Sequence, residues 1–267
     1  MIRFFSLSSG SCGNCYYFTN GEVSFLIDAG VGPRITRKNL LEHELKLEEV
    51  DFILVTHDHI DHIKSLGIIS SKYSKPVYTT KGIRDALLWN MCTRGRLKGS
   101  LHLLEKDKVN NILSVKVTPF DVPHDATETV GYFIEFEGHK ITIITDCGYL
   151  TPSVLEYACL SDTLILESNY DSDMLKEGNY PYQLKTRILG ESGHLSNAEA
   201  CEALMKIYST RRGRLDNIFL CHISGNNNTP EKCYNAALEA LESVGARPQD
   251  MLLAVLPRGV PSKMYSL

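Results

Sequence analysis

A continuous apolar run, Phe52-Ile53-Leu54-Val55, leads without a break into Thr56-His57-Asp58-His59-Ile60-Asp61-His62. Four consecutive apolar residues specify a strand buried on both faces. Such a strand needs layers above and below it, which points to an α/β arrangement. The polar run then falls at the end of that strand. Its three histidines and two aspartates, all between 57 and 62, combine imidazole and carboxylate donors, a set that suits zinc, manganese or iron. Residues two apart in extended backbone point the same way, so His57 and His59 can converge on one ion. A turn into a helix near Ile60 would bring Asp61 and His62 toward a second. The bland alternative is a polar surface loop.

The rest of the chain supports layered α/β architecture. Short apolar runs at Arg3 to Leu7, Tyr16 to Thr19 and Val23 to Asp28 read as strands, with Asn20-Gly21 as a hairpin turn. Strands follow at Val115 to Thr118, Gly131 to Glu137, Lys140 to Thr145, Thr163 to Leu166, Ile218 to Leu220 and Leu252 to Val255. Helical patterns lie at Pro33 to Leu45, Ile63 to Tyr73, Lys81 to Met91, Pro152 to Ala158, Asn197 to Tyr208 and Pro230 to Val244. No repeat or linker breaks the chain, so one domain over 1–267 is expected.

A chain of 267 residues buries roughly 70% or more of its unfolded surface and needs no staple to fold. Bound metal would therefore serve chemistry. The eight cysteines do not form a disulfide framework in a chain this long, and Cys12-x-x-Cys15 lacks the second pair of a structural zinc site. No window is long and apolar enough to span a membrane. Ile2 to Leu7 is too short for a secretory h-region, so a cytoplasmic location is expected. A net charge of −4 gives no global signal for nucleic acid, although bound cations and a local basic rim can create one.

Further candidates sit at or just beyond apolar strand ends: His124 in Pro-His-Asp, Asp146 after Ile141 to Thr145, and His222 after Ile218 to Cys221. Singly each reads as a structural or solvated residue. Together they mark one edge of a sheet, where ligand clefts of α/β folds gather. Asp28 ends another buried strand, where capping a turn suits it. Ser196-x-x-Glu199 is a capping-box pattern. The same geometry aims a helix N-terminus, with its free amides, at a possible phosphate guest. Among the basic clusters, Lys185 and Arg187 are singled out by lying between Glu167 and His194. His43, His102 and His139 fit no role and read as helix surface, loop or turn.

The order HxHxDH, lone His, Asp, terminal His resembles the metallo-β-lactamase superfamily of dinuclear metallohydrolases along essentially the whole chain. The resemblance implies an αββα sandwich of two mixed β-sheets flanked by helices. It implies His57, His59 and His124 on one metal, Asp61, His62 and His222 on the other, and Asp146 bridging. Three segments narrow it: the turn Ser6 to Asn14, the stretch Glu167-Ser-Asn-Tyr-Asp171 with Lys185 and Arg187 beyond it, and Gly193-His194-Leu195-Ser196-Asn197. With Cys221-His222-Ile223-Ser224 they resemble the YycJ/WalJ group, regarded as exonuclease-like and related to RNase Z and RNase J. Tyr170 departs from that group, which more often has His there, so position 170 receives no metal or acid role. Asp146 and His222 are too close in sequence to enclose a β-CASP insertion.

The resemblance implies a metal-dependent phosphodiesterase, an exonuclease on DNA, with two divalent ions (Zn or Mn, with Fe possible). A hydroxide between the ions would attack phosphorus in line. Asp61 would orient it as well as bind metal, and His194 would serve the leaving oxygen. Ser9, Asn14, Lys185, Arg187, Ser196 and Asn197 are the expected substrate contacts, with Asp28 behind the ligands. Rival readings are a lactone or thioester hydrolase, an RNA-processing nuclease and a non-enzymatic metal-bound scaffold. A nucleic-acid partner is expected, DNA before RNA, and no membrane; oligomeric state is left open.

Overall fold

The computed structural model describes residues 1–247 and 249–267. Its strands form two mixed sheets of seven strands each, with orders β14-β1-β2-β3-β4-β5-β6 and β13-β12-β11-β10-β9-β8-β7. The first contains β1 (Arg3–Ser8), β2 (Cys15–Thr19), β3 (Ser24–Ile27), β4 (Phe52–Leu54), β5 (Val77–Thr79), β6 (Leu101–Leu103) and β14 (Tyr265–Ser266). The second contains β7 (Asn110–Ile112), β8 (Val115–Asp121), β9 (Val130–Phe136), β10 (His139–Ile144), β11 (Thr163–Glu167), β12 (Asn217–Cys221) and β13 (Leu252–Val255). The helices are α1 (Pro33–Leu41), α2 (Ile60–Ile63), α3 (Leu66–Tyr73), α4 (Lys81–Trp89), α5 (Pro152–Cys159), α6 (Ser172–Glu177), α7 (Tyr182–Leu189), α8 (Asn197–Thr210) and α9 (Pro230–Ser243). By contacts the chain divides into two compact units, one of residues 1–119, 126–129 and 257–267, the other of residues 120–125 and 130–256.

Within the first unit, strands β3, β4, β5 and β6 run parallel, while β14, β1, β2 and β3 alternate. One aromatic ring from each strand forms a ladder across the sheet. Tyr265, Phe4, Phe18, Phe25, Phe52, Tyr78 and His102 follow one another with ring centroids 4.7–6.1 Å apart. Each such pair is worth about 0.5–1.5 kcal/mol beyond the area it buries, which fixes strand register as well as stability. Asn20 accepts hydrogen bonds from the backbone N–H of Glu22 and Val23, and Gly21 takes a positive φ, so the expected hairpin turn forms between β2 and β3.

Within the second unit, β10, β11, β12 and β13 are parallel, and helices α5, α8 and α9 cover an apolar cluster that includes Val154, Leu166, Leu204, Leu220 and Leu241. Parallel strands deliver their C-terminal ends to a single edge, which is where the side chains described next lie.

The structure corrects several sequence expectations. The first helix ends at Leu41 rather than Leu45, because Glu44 adopts a left-handed conformation. The helix expected from Ile63 to Tyr73 is two pieces, Ile60–Ile63 and Leu66–Tyr73. Between them, the Ala29 N–H donates to His62 O and Ala29 O accepts from Ser65, so the loop after β3 takes the place of helical partners. His139 is a buried residue of β10, not an exposed turn. His43 packs its ring against Phe5.

Candidate metal centre

In the first unit, β3 and β4 end in register, Ile27 opposite Leu54. Asp28 follows the first and Thr56-His57 the second. Asp28 is wholly buried and left-handed, a strained conformation for a residue with a side chain. Its carboxylate accepts from the Thr56 N–H (2.9 Å), the Thr56 hydroxyl (2.8 Å) and His62 Nδ1 (2.6 Å). A carboxylate only accepts, so His62 carries its proton on Nδ1 and its lone pair on Nε2. Asn14 Nδ2 donates to that Nε2 at 2.8 Å. The one hydroxyl hydrogen of Thr56 goes to Asp28. At 3.0 Å Thr56 Oγ1 must therefore accept from His57 Nδ1, which leaves His57 Nε2 as a lone-pair donor too.

The remaining ligand candidates of this segment lie alongside. The rings of His57 and His62 are 4.0 Å apart and those of His57 and His59 4.8 Å apart, and Asp61 Oδ2 is 3.7 Å from His62 Nε2. Asp58 turns aside and accepts from the Thr127 N–H and hydroxyl. Gly30 explains the tightness: a Cβ there would fall 1.6 Å from the Asp61 carbonyl oxygen, so only glycine lets the two loops meet.

The second unit uses the same device with a different carboxylate. Its parallel strands β10, β11 and β12 end beside Asp146, at Glu167 and beside His222, with Glu167 paired to Cys221. Glu167 is fully buried. Oε1 accepts from His222 Nδ1 at 2.7 Å and His194 Nδ1 at 2.8 Å, while Oε2 accepts from the Cys147 N–H (2.9 Å) and the Leu195 N–H (3.1 Å). Burial raises the Glu167 pKa, but the charges and hydrogen bonds of the two histidines outweigh it and hold the carboxyl below its ordinary range. Both imidazoles therefore keep Nδ1–H, which leaves Nε2 on the far side of each ring.

Asp146 Oδ1 lies 3.4 Å from His222 Nδ1, 3.6 Å from His124 Nε2 and 3.7 Å from His194 Nδ1. His124 donates Nδ1–H to the Gly193 carbonyl at 2.8 Å, and burial lowers its pKa, favouring the neutral form that ligates metal. The loop before His194 is held close: a Cβ on Gly193 would meet the Ile188 carbonyl oxygen at 2.1 Å. His222 is left-handed like Asp28, with Asn169 donating to its carbonyl at 2.7 Å.

The donor set fits a divalent cation. One donor atom each from Asp146, Glu167, His194 and His222 lies within 4.8 Å of the others, a cluster in which Glu167 braces the two imidazoles. His57, His62, His124, His194 and His222 all have Nδ1 committed to a protein acceptor, which leaves Nε2 on the far side of each ring, where that of His62 meets Asn14.

Residues expected to touch substrate divide differently. Ser9 is buried with its hydroxyl 2.9 Å from Tyr16 Oη, and Asn14 is buried and braced between Gly10, Asp61 and His62. Ser196 caps α8 in a complete capping box, and Asn197 bonds Ser168 and Asn228. At that helix start the Ser196, Asn197 and Glu199 amides already have protein acceptors, which disfavours a phosphate guest. Arg187 is exposed and makes two hydrogen bonds to Asp125, next to His124, while Lys185 Nζ donates to the Lys176 carbonyl. Tyr170 is buried and its hydroxyl is pushed up to about 12, chiefly by desolvation. Sequence reasoning did not assign Glu167 a role. The available signal was an acid at the end of a buried apolar run, the same signal that marked Asp28.

Comparison with known proteins agrees with this geometry. A family profile described as a β-lactamase superfamily domain matches residues 24–213. The exodeoxyribonuclease YycJ of Bacillus anthracis is 33% identical over 247 residues, covering 91% of this chain and 90% of that protein. The exodeoxyribonuclease WalJ of Streptococcus pneumoniae is 31% identical over 241 residues, covering 90% and 88%. Among solved structures, the metallo-β-lactamase fold protein YhfI from Bacillus subtilis superposes with a TM-score of 0.70 at 16% identity, covering 98% of each chain. The chain belongs to the metallo-β-lactamase superfamily and, within it, to the group that holds YycJ and WalJ.

Proposed function

We propose that the chain is a metal-dependent phosphodiesterase that cleaves nucleic acid, DNA in preference to RNA, in the cytoplasm, as one metallo-β-lactamase-fold domain without a β-CASP insertion. The observation that carries this reading is the pair of fully buried carboxylates, Asp28 and Glu167, each fixing the protonation of two histidines at a sheet edge. Four ligand-grade imidazoles would not be oriented this way to brace a loop. Relatives named exodeoxyribonucleases, similar over nine-tenths of both chains, favour DNA.

His57, His59 and His124 would hold one divalent cation, Asp61, His62 and His222 the other, and Asp146 both, with zinc or manganese the expected ions. Bound there, the cations supply Lewis acidity toward phosphoryl oxygens and lower the pKa of water. The chain's own residues do the rest. Asp61 orients the attacking oxygen. Glu167 holds His194 by Nδ1, so the proton for the leaving oxygen travels through Nε2. Such proton transfer is typically worth about 10²–10⁴ in rate. Lys185 and Arg187 on α7 would contact backbone phosphates, Arg187 by leaving Asp125.

The test is incubation of the purified protein with end-labelled single- and double-stranded DNA and RNA after chelation, then with Mn²⁺ or Zn²⁺ restored. Metal-restored cleavage of DNA above RNA is the expected result. Hydrolysis of lactones or thioesters with no phosphodiester cleavage would overturn the proposal.

A further inference from the structure

Trp89, the chain's one tryptophan, ends α4 with 85% of its surface exposed, and Met91 just beyond it is 81% exposed. Leu88, 46% exposed, extends the apolar run, and contiguous exposed apolar surface, unlike a single exposed side chain, marks a contact site. The loop that follows is a built structure. Thr93 and Leu97 are buried in it, and the Thr93 and Arg94 amides both donate to the Asn90 carbonyl. These anchors hold Arg94, Arg96 and Lys98 outward. Among the described residues none of the three makes an ion pair, and no acidic residue occurs from Ala86 to Leu104 in a chain of net charge −4.

The loop is also tied to the ligand segment. Asn90 Nδ2 donates at 3.3 Å to the carbonyl of Asp58, the residue between His57 and His59. Trp89 is therefore one residue from a direct tether to the candidate ligands. From there the loop passes α3, where Gly67 lies against Arg96 and the Cys92 carbonyl. It ends at a pocket of about 370 Å³ lined by Arg96, Lys98 and His102 and by Ser70, Ser74 and Ser100, with no carboxylate.

We propose that this surface is a track for single-stranded nucleic acid: a base stacks on Trp89 beside the ligand segment, and the backbone phosphates beyond it run along Arg94, Arg96 and Lys98 to the serine-lined pocket. An exposed indole followed by uncompensated cations is the chemistry that binds single strands without reading sequence. The proposal rests on the phosphodiesterase reading above and adds where the strand leaves the site.

Trp89 reports on its own occupancy. Emission would be followed while metal-free protein is titrated with a twelve-nucleotide oligothymidylate, and affinity measured in parallel by anisotropy of a labelled copy. The oligonucleotide is expected to quench the emission. Trp89→Ala is expected to weaken binding about 5- to 150-fold, the range for one stacked base. Arg96→Glu with Lys98→Glu is expected to weaken binding and flatten the log–log salt dependence by about 1.4, for two phosphate contacts. Both variants should hydrolyse bis(p-nitrophenyl) phosphate like the parent, since the small diester reaches only the candidate metal site. Oligonucleotide binding with unchanged Trp89 emission and parental affinity in both variants would overturn the track. Emission that changes with protein concentration alone, with a dimer in sedimentation that Trp89→Ala abolishes, would overturn it in favour of self-contact. Failure of the parent to hydrolyse the small diester, with the binding effects intact, would instead overturn the phosphodiesterase reading and leave the track standing.

Discussion

Replacing Glu167 with Gln separates what the carboxylate does for the fold from what it does for the metal. Four donors converge on it: His194 Nδ1, His222 Nδ1 and the Cys147 and Leu195 amides, at 2.7–3.1 Å. Gln offers one oxygen and one NH₂ group. With the oxygen toward the histidines, the NH₂ group faces two backbone donors. Each amide then loses a buried acceptor, at about 1–3 kcal/mol apiece. With the oxygen toward the amides, the NH₂ group can donate to both Nδ1 atoms, provided each imidazole moves its proton to Nε2. The second arrangement leaves nothing orphaned and should win. Its consequence is chemical: His222 then carries hydrogen on the nitrogen that would ligate metal, and His194 can no longer relay a proton outward against an acceptor at its back. Metal-free Glu167→Gln should therefore unfold within about 2 kcal/mol of the parent. Metal affinity should fall about 10- to 100-fold, the usual consequence of losing an orienting partner. Diester hydrolysis at saturating metal should fall by about 10² or more. Urea unfolding of metal-free protein, metal titration and cleavage of an ordinary phosphodiester in a labelled DNA oligonucleotide read the three effects. Parental metal affinity and rate in a folded variant would refute the tautomer argument.

Other expectations follow from the same geometry. His194→Ala should keep both metals and near-parental stability. It should lose about 10²–10⁴ on an ordinary phosphodiester but much less on a nitrophenyl ester, whose leaving group needs little protonation; equal losses would rule out the acid role. Lys185→Glu with Arg187→Glu should weaken DNA binding without metal loss, and unchanged binding across a salt series would move the phosphate contacts off α7. His139 supplies a pH test in the second unit. Burial, helped by the Arg214 guanidinium and opposed by Asp162, lowers its pKa below the usual 6.5. Arg214 donates to Nδ1 at 3.0 Å, which requires the neutral ring. The unfolded chain thus binds the extra proton first. This stabilisation is complete above about pH 6.5 and is lost as the pH falls through the lowered folded value. The fall in Tm from pH 7 to pH 5 should be smaller in His139→Gln than in the parent; an identical fall would exclude His139 as a contributor.

The sequence was most legible where one pattern did one job. Phe52 to Val55 had to be a buried strand, and the histidines after it had to lie at its end. The long amphipathic helices before Tyr208 and Val244 also read correctly to within two residues. The three-residue strands β5, β6 and β7 escaped because runs that short carry no periodicity, and their pairing with neighbours makes them strands. Helices α6 and α7 escaped for a related reason: each is a short segment closed by glycine, at Gly178 and Gly190. Glu167 shows the sharper limit. Nothing in its spacing tells a carboxylate that ligates from one that holds two histidines by Nδ1. That distinction is made by parallel pairing of β11 with β12, which sets Glu167 opposite Cys221 and so beside His222.

The central claim is that these residues hold two catalytic cations in separable sets. Elemental analysis of parent, His59→Ala and His222→Ala after identical metal loading and dialysis, with DNA cleavage measured on the same samples, tests it most directly. The account predicts two ions per chain in the parent, different partial losses in the two variants, and cleavage abolished in both. Two retained ions in each variant, or undiminished cleavage in either, would contradict it.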